Sequence, residues 1–101
     1  MKTDVKEAIS AYIQQFKLKE AESELKTILQ QTEQDDEAYF MLGNIYRKQS
    51  NWQEALQCYA KALEINPKSP ALHAREMILS IMAFYDKERY NVWNRWTVTI
   101  L

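Results

Sequence analysis

The apolar residues of this chain recur at two spacings, and these spacings restrict the possible folds more than any other feature of the sequence. Up to about residue 90, apolar side chains return every three or four positions, which is the spacing of helices with one buried face. The pattern then repeats after 34 residues, so that five apolar positions coincide. The coinciding pairs are Tyr12 with Tyr46, Leu18 with Trp52, Ala21 with Ala55, Leu25 with Tyr59, and Ile28 with Ala62. A period of this length predicts stacked units of two helices each.

Glycine, cysteine and histidine are scarce, and their counts exclude several classes of site. The chain has one glycine and two prolines, too few for the turns of an antiparallel sheet, so we predict an all-α fold. One glycine also excludes a glycine-rich phosphate loop or dinucleotide fingerprint. A single Cys and a single His exclude an internal disulfide and the common Cys-cluster and His-pair metal sites. We therefore expect no metal and no cofactor.

The charge balance argues against nucleic-acid and membrane partners. The formal net charge is −1, from 13 basic and 14 acidic residues, which provides no basic face for nucleic acid. No apolar run approaches the ~20 residues that cross a membrane, and the first residues do not resemble a signal peptide. We expect a cytoplasmic protein that binds neither nucleic acid nor membrane, whether or not the chain is part of a longer one.

Capping and breaking signals predict five helices. Asp4 with Glu7 and Asn51 with Glu54 have the spacing of capping boxes. Ser69 before Pro70 is typical of an N-cap followed by a first-turn proline. The predicted helices cover residues 4–15, 18–31, 37–48, about 52–65, and 70 to about 90.

Residues 36–69 carry a longer motif. It reads Leu42-Gly43-x-x-Tyr46, then Ala55-x-x-x-Tyr59-x-x-Ala62, then Pro67, with Tyr39 at a position that usually holds Trp. These spacings resemble those of the tetratricopeptide repeat (TPR) family. Residues 2–35 resemble a degenerate first repeat that keeps Tyr12 and Ala21. Phe16 and Ser50 stand where the family usually has a turn glycine.

The resemblance implies antiparallel helical hairpins stacked in a right-handed superhelix. We expect a domain over residues 1–91, with repeats at about 2–35 and 36–69 and a capping helix at about 70–90. The motif residues are expected to pack between helices and not to bind a ligand. They are Tyr39, Leu42, Gly43, Tyr46, Ala55, Tyr59, Ala62 and Pro67.

The resemblance also implies a protein–protein interaction module whose groove accepts a peptide or helix of a partner. In the register of the family the partner-binding residues are Lys6, Ser10, Phe40, Asn44, Arg47, Ala74, Ile78 and Ile81. Two alternatives remain. The apolar members Phe40, Ile78 and Ile81 could instead be buried between helices, and Asn44 with Arg47 could be a solvated polar face.

One version of the family groove is excluded. The chaperone clamp holds a C-terminal carboxylate with five polar side chains, and only Lys6 and Arg75 match its positions. Three of the five required donors are therefore absent.

Residues 92–101 form an apolar tail that does not read as helix. Trp96, Val98 and Ile100 alternate with polar residues, which is typical of a strand. Such a tail could pair with a second copy, lie in a groove, be disordered, or not belong to the native protein. Our second hypothesis is therefore a structural protein that forms homodimers through helix 5 and this tail.

Catalysis is not expected. His73 has no nucleophile or metal ligand at a recognisable spacing, and Cys58 lies between core positions of helix 4. We interpret His73 as a surface or packing residue and Cys58 as a small hydrophobic side chain.

Overall fold

The computed structural model describes residues 2–83, and the regular elements in this range are five helices. They are α1 (Thr3–Gln14), α2 (Leu18–Gln31), α3 (Asp36–Lys48), α4 (Trp52–Ile65) and α5, which covers residues 71–83. Successive helices from α1 to α4 pack against each other. The prediction of an all-α fold with five helices is confirmed. The predicted extension of helix 5 to about residue 90 and the tail at 92–101 lie outside the described residues.

Two helices begin at capping side chains that accept backbone hydrogen bonds. The Asp35 side chain accepts from the Ala38 amide at 3.1 Å, and Ser69 Oγ accepts from the Ala71 amide at 3.1 Å. Ser69 is the cap that the sequence predicted, and it is buried. Such a cap stabilises a helix by about 1 kcal/mol.

Neither of the two predicted capping boxes is formed. α1 begins at Thr3 after the N-cap Lys2, so Asp4 lies inside the first turn, where its negative charge favours the positive end of the helix. Asn51 is the N-cap of α4 as predicted, but its side chain makes no capping hydrogen bond. Its backbone amide instead closes the preceding turn by donating to the Tyr46 carbonyl at 2.8 Å.

The same turn joins α1 to α2 and α3 to α4. Phe16 has φ 59° and Ser50 has φ 60°, both in the left-handed region that favours glycine. In the first turn the Lys17 amide donates to the Tyr12 carbonyl at 2.8 Å, which matches the Asn51 bond 34 residues later. This pattern is the Schellman motif, which satisfies the last carbonyls of a helix.

The core consists of two clusters that meet at α3. The first joins the inner faces of α1, α2 and α3 and includes Ile9, Ala21, Leu25, Leu42 and Ile45. The second joins α4 to α5 and includes Ala55, Tyr59, Ala62, Ala71 and Ile78. The half-buried Tyr46 packs against both clusters. α3 is therefore the central helix of the described chain.

The residues of the repeat motif lie in or beside this core. Leu42, Gly43, Ala55, Tyr59 and Ala62 are buried, Tyr39 and Tyr46 are half-buried, and Pro67 is exposed. Gly43 faces the buried Tyr59 ring so closely that an added Cβ would lie 2.5 Å from Tyr59 Cε1. The absence of a side chain at Gly43 is thus what allows α4 to approach α3.

Candidate partner-binding groove

A cavity of about 480 Å³ is lined by α1, α3 and the loop between α4 and α5. We call it the groove. Five of the predicted partner-binding residues line it together: Lys6, Ser10, Phe40, Asn44 and Arg47. The sequence did not predict that Asn66, Ser69 and Pro70, in the loop before α5, also line the groove.

The other three predicted partner-binding residues do not line the groove. Ile78 is completely buried and Ala74 nearly so, because both pack in the second core cluster with Ala55 and Ala62. Ile81 is half-buried. The apolar stripe of α5 is therefore used against α4, and for Ala74 and Ile78 the structure favours packing between helices.

Tyr59 holds two groove residues from beneath. Its hydroxyl donates to Asn44 Oδ1 at 2.5 Å. The centroid of its ring lies 6.0 Å from the centroid of the Phe40 ring, and the angle between the two ring planes is 40°. Burial raises the pKa of Tyr59, which keeps the hydroxyl protonated as a donor. Asn44 thus has its carbonyl oxygen bound to the core, and its side-chain NH₂ is the donor that remains for a ligand.

Charged residues of α1 and α3 that line the groove contact side chains of neighbouring elements. Lys6 Nζ lies 3.0 Å from Glu37 Oε2, so that an ion pair links α1 to α3. Asn66 Nδ2 donates to Asp36 Oδ2 at 3.1 Å, which ties the start of α3 to the loop after α4. Arg47 Nη1 lies 3.8 Å from the Met77 sulfur on α5.

A second polar cluster connects α2 to α3 away from the groove. Glu22 Oε1 accepts from the Tyr46 hydroxyl at 3.0 Å and lies 3.0 Å from Lys26 Nζ. The hydrogen bond from Lys26 contributes most to lowering the pKa of Glu22, with a further contribution from Tyr46. Burial and the Glu22 carboxylate raise the pKa of Tyr46. Since Tyr46 belongs to the repeat motif, this cluster fixes α2 against the central helix.

The isolated cysteine and histidine show no catalytic arrangement. Burial raises the pKa of the Cys58 thiol to about 11, so the thiol is protonated and unreactive near neutral pH. His73 is exposed on α5. Within residues 2–83, no three Cys, His, Asp or Glu side chains lie close enough to hold a metal ion. No helix in this range is long and apolar enough to cross a membrane.

Comparisons with known proteins place the fold among repeat proteins. Residues 36–69 match the family model described as Tetratricopeptide repeat. Among solved structures, the chain is similar to protein BF1650 of Bacteroides fragilis, determined in solution by NMR, with 43% sequence identity and a TM-score of 0.78. That match covers 89% of this chain and 91% of the other. No curated protein matches the sequence.

Proposed function

The chain belongs to the tetratricopeptide repeat family, whose members are generally non-catalytic scaffolds for protein–protein interaction, and we propose that it binds a segment of a partner protein in the groove. The observation that carries this proposal is the cavity of about 480 Å³ between α1 and α3. Five of its lining residues are among the eight partner-binding residues that the register of the family predicts. The proposal therefore has support from the sequence pattern and from the shape of the surface.

The chemistry of the groove suits a segment with one apolar anchor. Ile13, Phe40 and Met41 provide apolar contacts, and burying a Leu-sized side chain against them contributes about 1.5–3 kcal/mol. Asn44 offers an NH₂ donor to a backbone carbonyl of the segment. Tyr59 holds Phe40 and Asn44 in place before binding, and this lowers the entropy cost of association.

We also propose that residues 2–35 are a first repeat. Two features support this interpretation: the coincidence of apolar positions 34 residues apart and the identical turns at Phe16 and Ser50. α1 then has the same role as α3, and the groove lies across the first helices of two consecutive units.

The experiment that tests the groove begins with selection from a random peptide display library on the full chain. Recovered peptides are synthesised, and their binding is measured by calorimetry against two matched variants. Ser10→Trp places a large neutral side chain inside the groove, whereas Ser23→Trp makes the same change on the exposed face of α2. We expect Ser10→Trp to weaken binding at least about tenfold, a loss of ~1.4 kcal/mol, and Ser23→Trp to leave it unchanged.

Circular dichroism melting of both variants shows whether each remains folded. The proposal is contradicted if the library yields no saturable binder, or if folded Ser10→Trp and Ser23→Trp proteins bind the recovered peptides equally.

A further inference from the structure

Within residues 2–83, the acidic side chains of the groove have polar partners, whereas two of its basic side chains have no carboxylate partner. Glu37 lies in an ion pair with Lys6, and Asp36 accepts from Asn66. Arg47 and Lys48 have no carboxylate within ion-pair distance among residues 2–83. In the part of the chain that the structure describes, the groove therefore presents positive charge without a carboxylate partner where α3 ends.

This charge lies next to exposed apolar side chains. The Arg47 guanidinium contacts the sulfur of Met77, which is 53% exposed. Lys48 Nζ lies 5.7 Å from the ring centroid of Phe16, which is 75% exposed. We call these four residues the basic end of the groove.

Arg47 and Lys48 remain able to bind an anion although they also stabilise the end of α3. Basic residues in the last turn stabilise a helix through its dipole, and Arg47 and Lys48 do so for α3. That interaction acts through charge and leaves the N–H donors of both side chains available to an anion, apart from the Arg47 Nη1 group that contacts the Met77 sulfur. Because the whole chain has a net charge of −1, any attraction for an anion is local to this end of the groove.

We propose, building on the function above, that the groove selects an acidic peptide segment. An apolar side chain of the segment enters the cavity over Phe40, and Asp or Glu side chains beside it lie on Arg47 and Lys48. Arg47 extends to Met77 on α5 and Lys48 extends to Phe16 before α2, so the two cations contact different elements and do not converge on one carboxylate. For this reason we assign them to successive side-chain carboxylates of the segment and not to a single C-terminal carboxylate.

The test uses the peptides recovered from the display library. We expect them to be enriched in Asp and Glu beside an apolar residue, and replacement of those acids by Asn and Gln should weaken binding about threefold per charge. Arg47→Gln and Lys48→Gln should each weaken binding of the acidic peptide by a similar factor without affecting the amide version. Lys19→Gln, which removes an equal charge from the exposed face of α2, is the matched control.

Two results would overturn the inference while leaving the proposed function in place. One is recovery of neutral or basic peptides that Ser10→Trp still excludes. The other is an acidic peptide that loses equal affinity for the Lys19→Gln and Lys48→Gln proteins. Its affinity would then depend on the net charge of the protein and not on the position of the charge at the basic end of the groove. Binding that persists in Ser10→Trp would instead contradict the groove itself.

Discussion

Phe16 and Ser50 show how a single residue can retain a conformation that its side chain disfavours. Both adopt left-handed backbone angles, and both close a Schellman turn with the amide that follows. A non-glycine residue in this region is strained, because Cβ approaches the following carbonyl. The family motif indicated from sequence that glycine was missing here, but only the structure shows that the turn geometry is kept.

Replacing Ser50 by glycine is expected to stabilise the protein. Ser50→Gly removes the Cβ strain at φ 60° and raises the flexibility of the unfolded chain, so the net gain should be about 0.5–1 kcal/mol. The free energy of unfolding is measured by chemical denaturation. Gln49→Gly is the control, because Gln49 has φ −86° and glycine there brings no relief of strain. Equal effects of the two substitutions would show that Ser50 is not strained.

The contact between α3 and α4 depends on the absence of a side chain at one position. A Cβ at Gly43 would lie 2.5 and 2.7 Å from two atoms of the Tyr59 ring, and that ring is fully buried and cannot move aside. The same ring supports Phe40 and Asn44, so this contact also determines the shape of the groove.

Gly43→Ala is therefore expected to destabilise the protein. Alanine is about 1 kcal/mol better than glycine inside a helix, but overpacking costs about 1–3 kcal/mol, and the completely buried ring places this site at the upper end of that range. Denaturant unfolding of Gly43→Ala, Tyr59→Leu and the double variant measures the coupling. Gly43→Ala should cost less, or even stabilise, in the Tyr59→Leu background. Equal costs in both backgrounds would contradict the close contact.

The link between α2 and α3 predicts a pH-dependent stability. The pKa of Glu22 is lowered in the folded protein by its hydrogen bonds from Lys26 and Tyr46. A lowered folded pKa means that this contribution is complete above the ordinary value of 4.5 and is lost as pH falls through the folded pKa. We expect Glu22→Gln to cost about 1 kcal/mol at neutral pH and progressively less below pH 4.5.

Thermal unfolding as a function of pH checks this expectation. Glu24→Gln, an exposed substitution on the same helix, is the matched control. A cost of Glu22→Gln that stays constant down to acid pH would show that the carboxylate charge does not contribute.

Periodicity and breaking residues were sufficient to predict the helices, because both act locally along the chain. The Ser69 cap and the close approach at Gly43 were predictable for the same reason. The Tyr59–Asn44 and Tyr46–Glu22 hydrogen bonds were not, since nothing in a single sequence specifies which polar side chains meet across helices. The burial of Ile78 also depended on the exact rotation of α5, which helical spacing alone does not determine.

In the molecule as a whole, one pair of helices lines the groove and the other pair supports it. The first helices of the two hairpins, α1 and α3, line the groove, while α2 and α4 supply the residues that fix α3 in place. A recognition site formed by two packed helices is preorganised, and its specificity comes from the few side chains that line it. A partner segment is thus expected to bind across α1 and α3.

Chemical-shift mapping of the ¹⁵N-labelled full chain with a recovered peptide locates the binding surface. We expect the perturbed amides to cluster around Ser10, Phe40, Asn44 and Arg47, with small changes on the exposed faces of α2 and α4. A cluster of perturbed amides around Ser23 and Lys61, with the groove amides unchanged, would contradict this expectation.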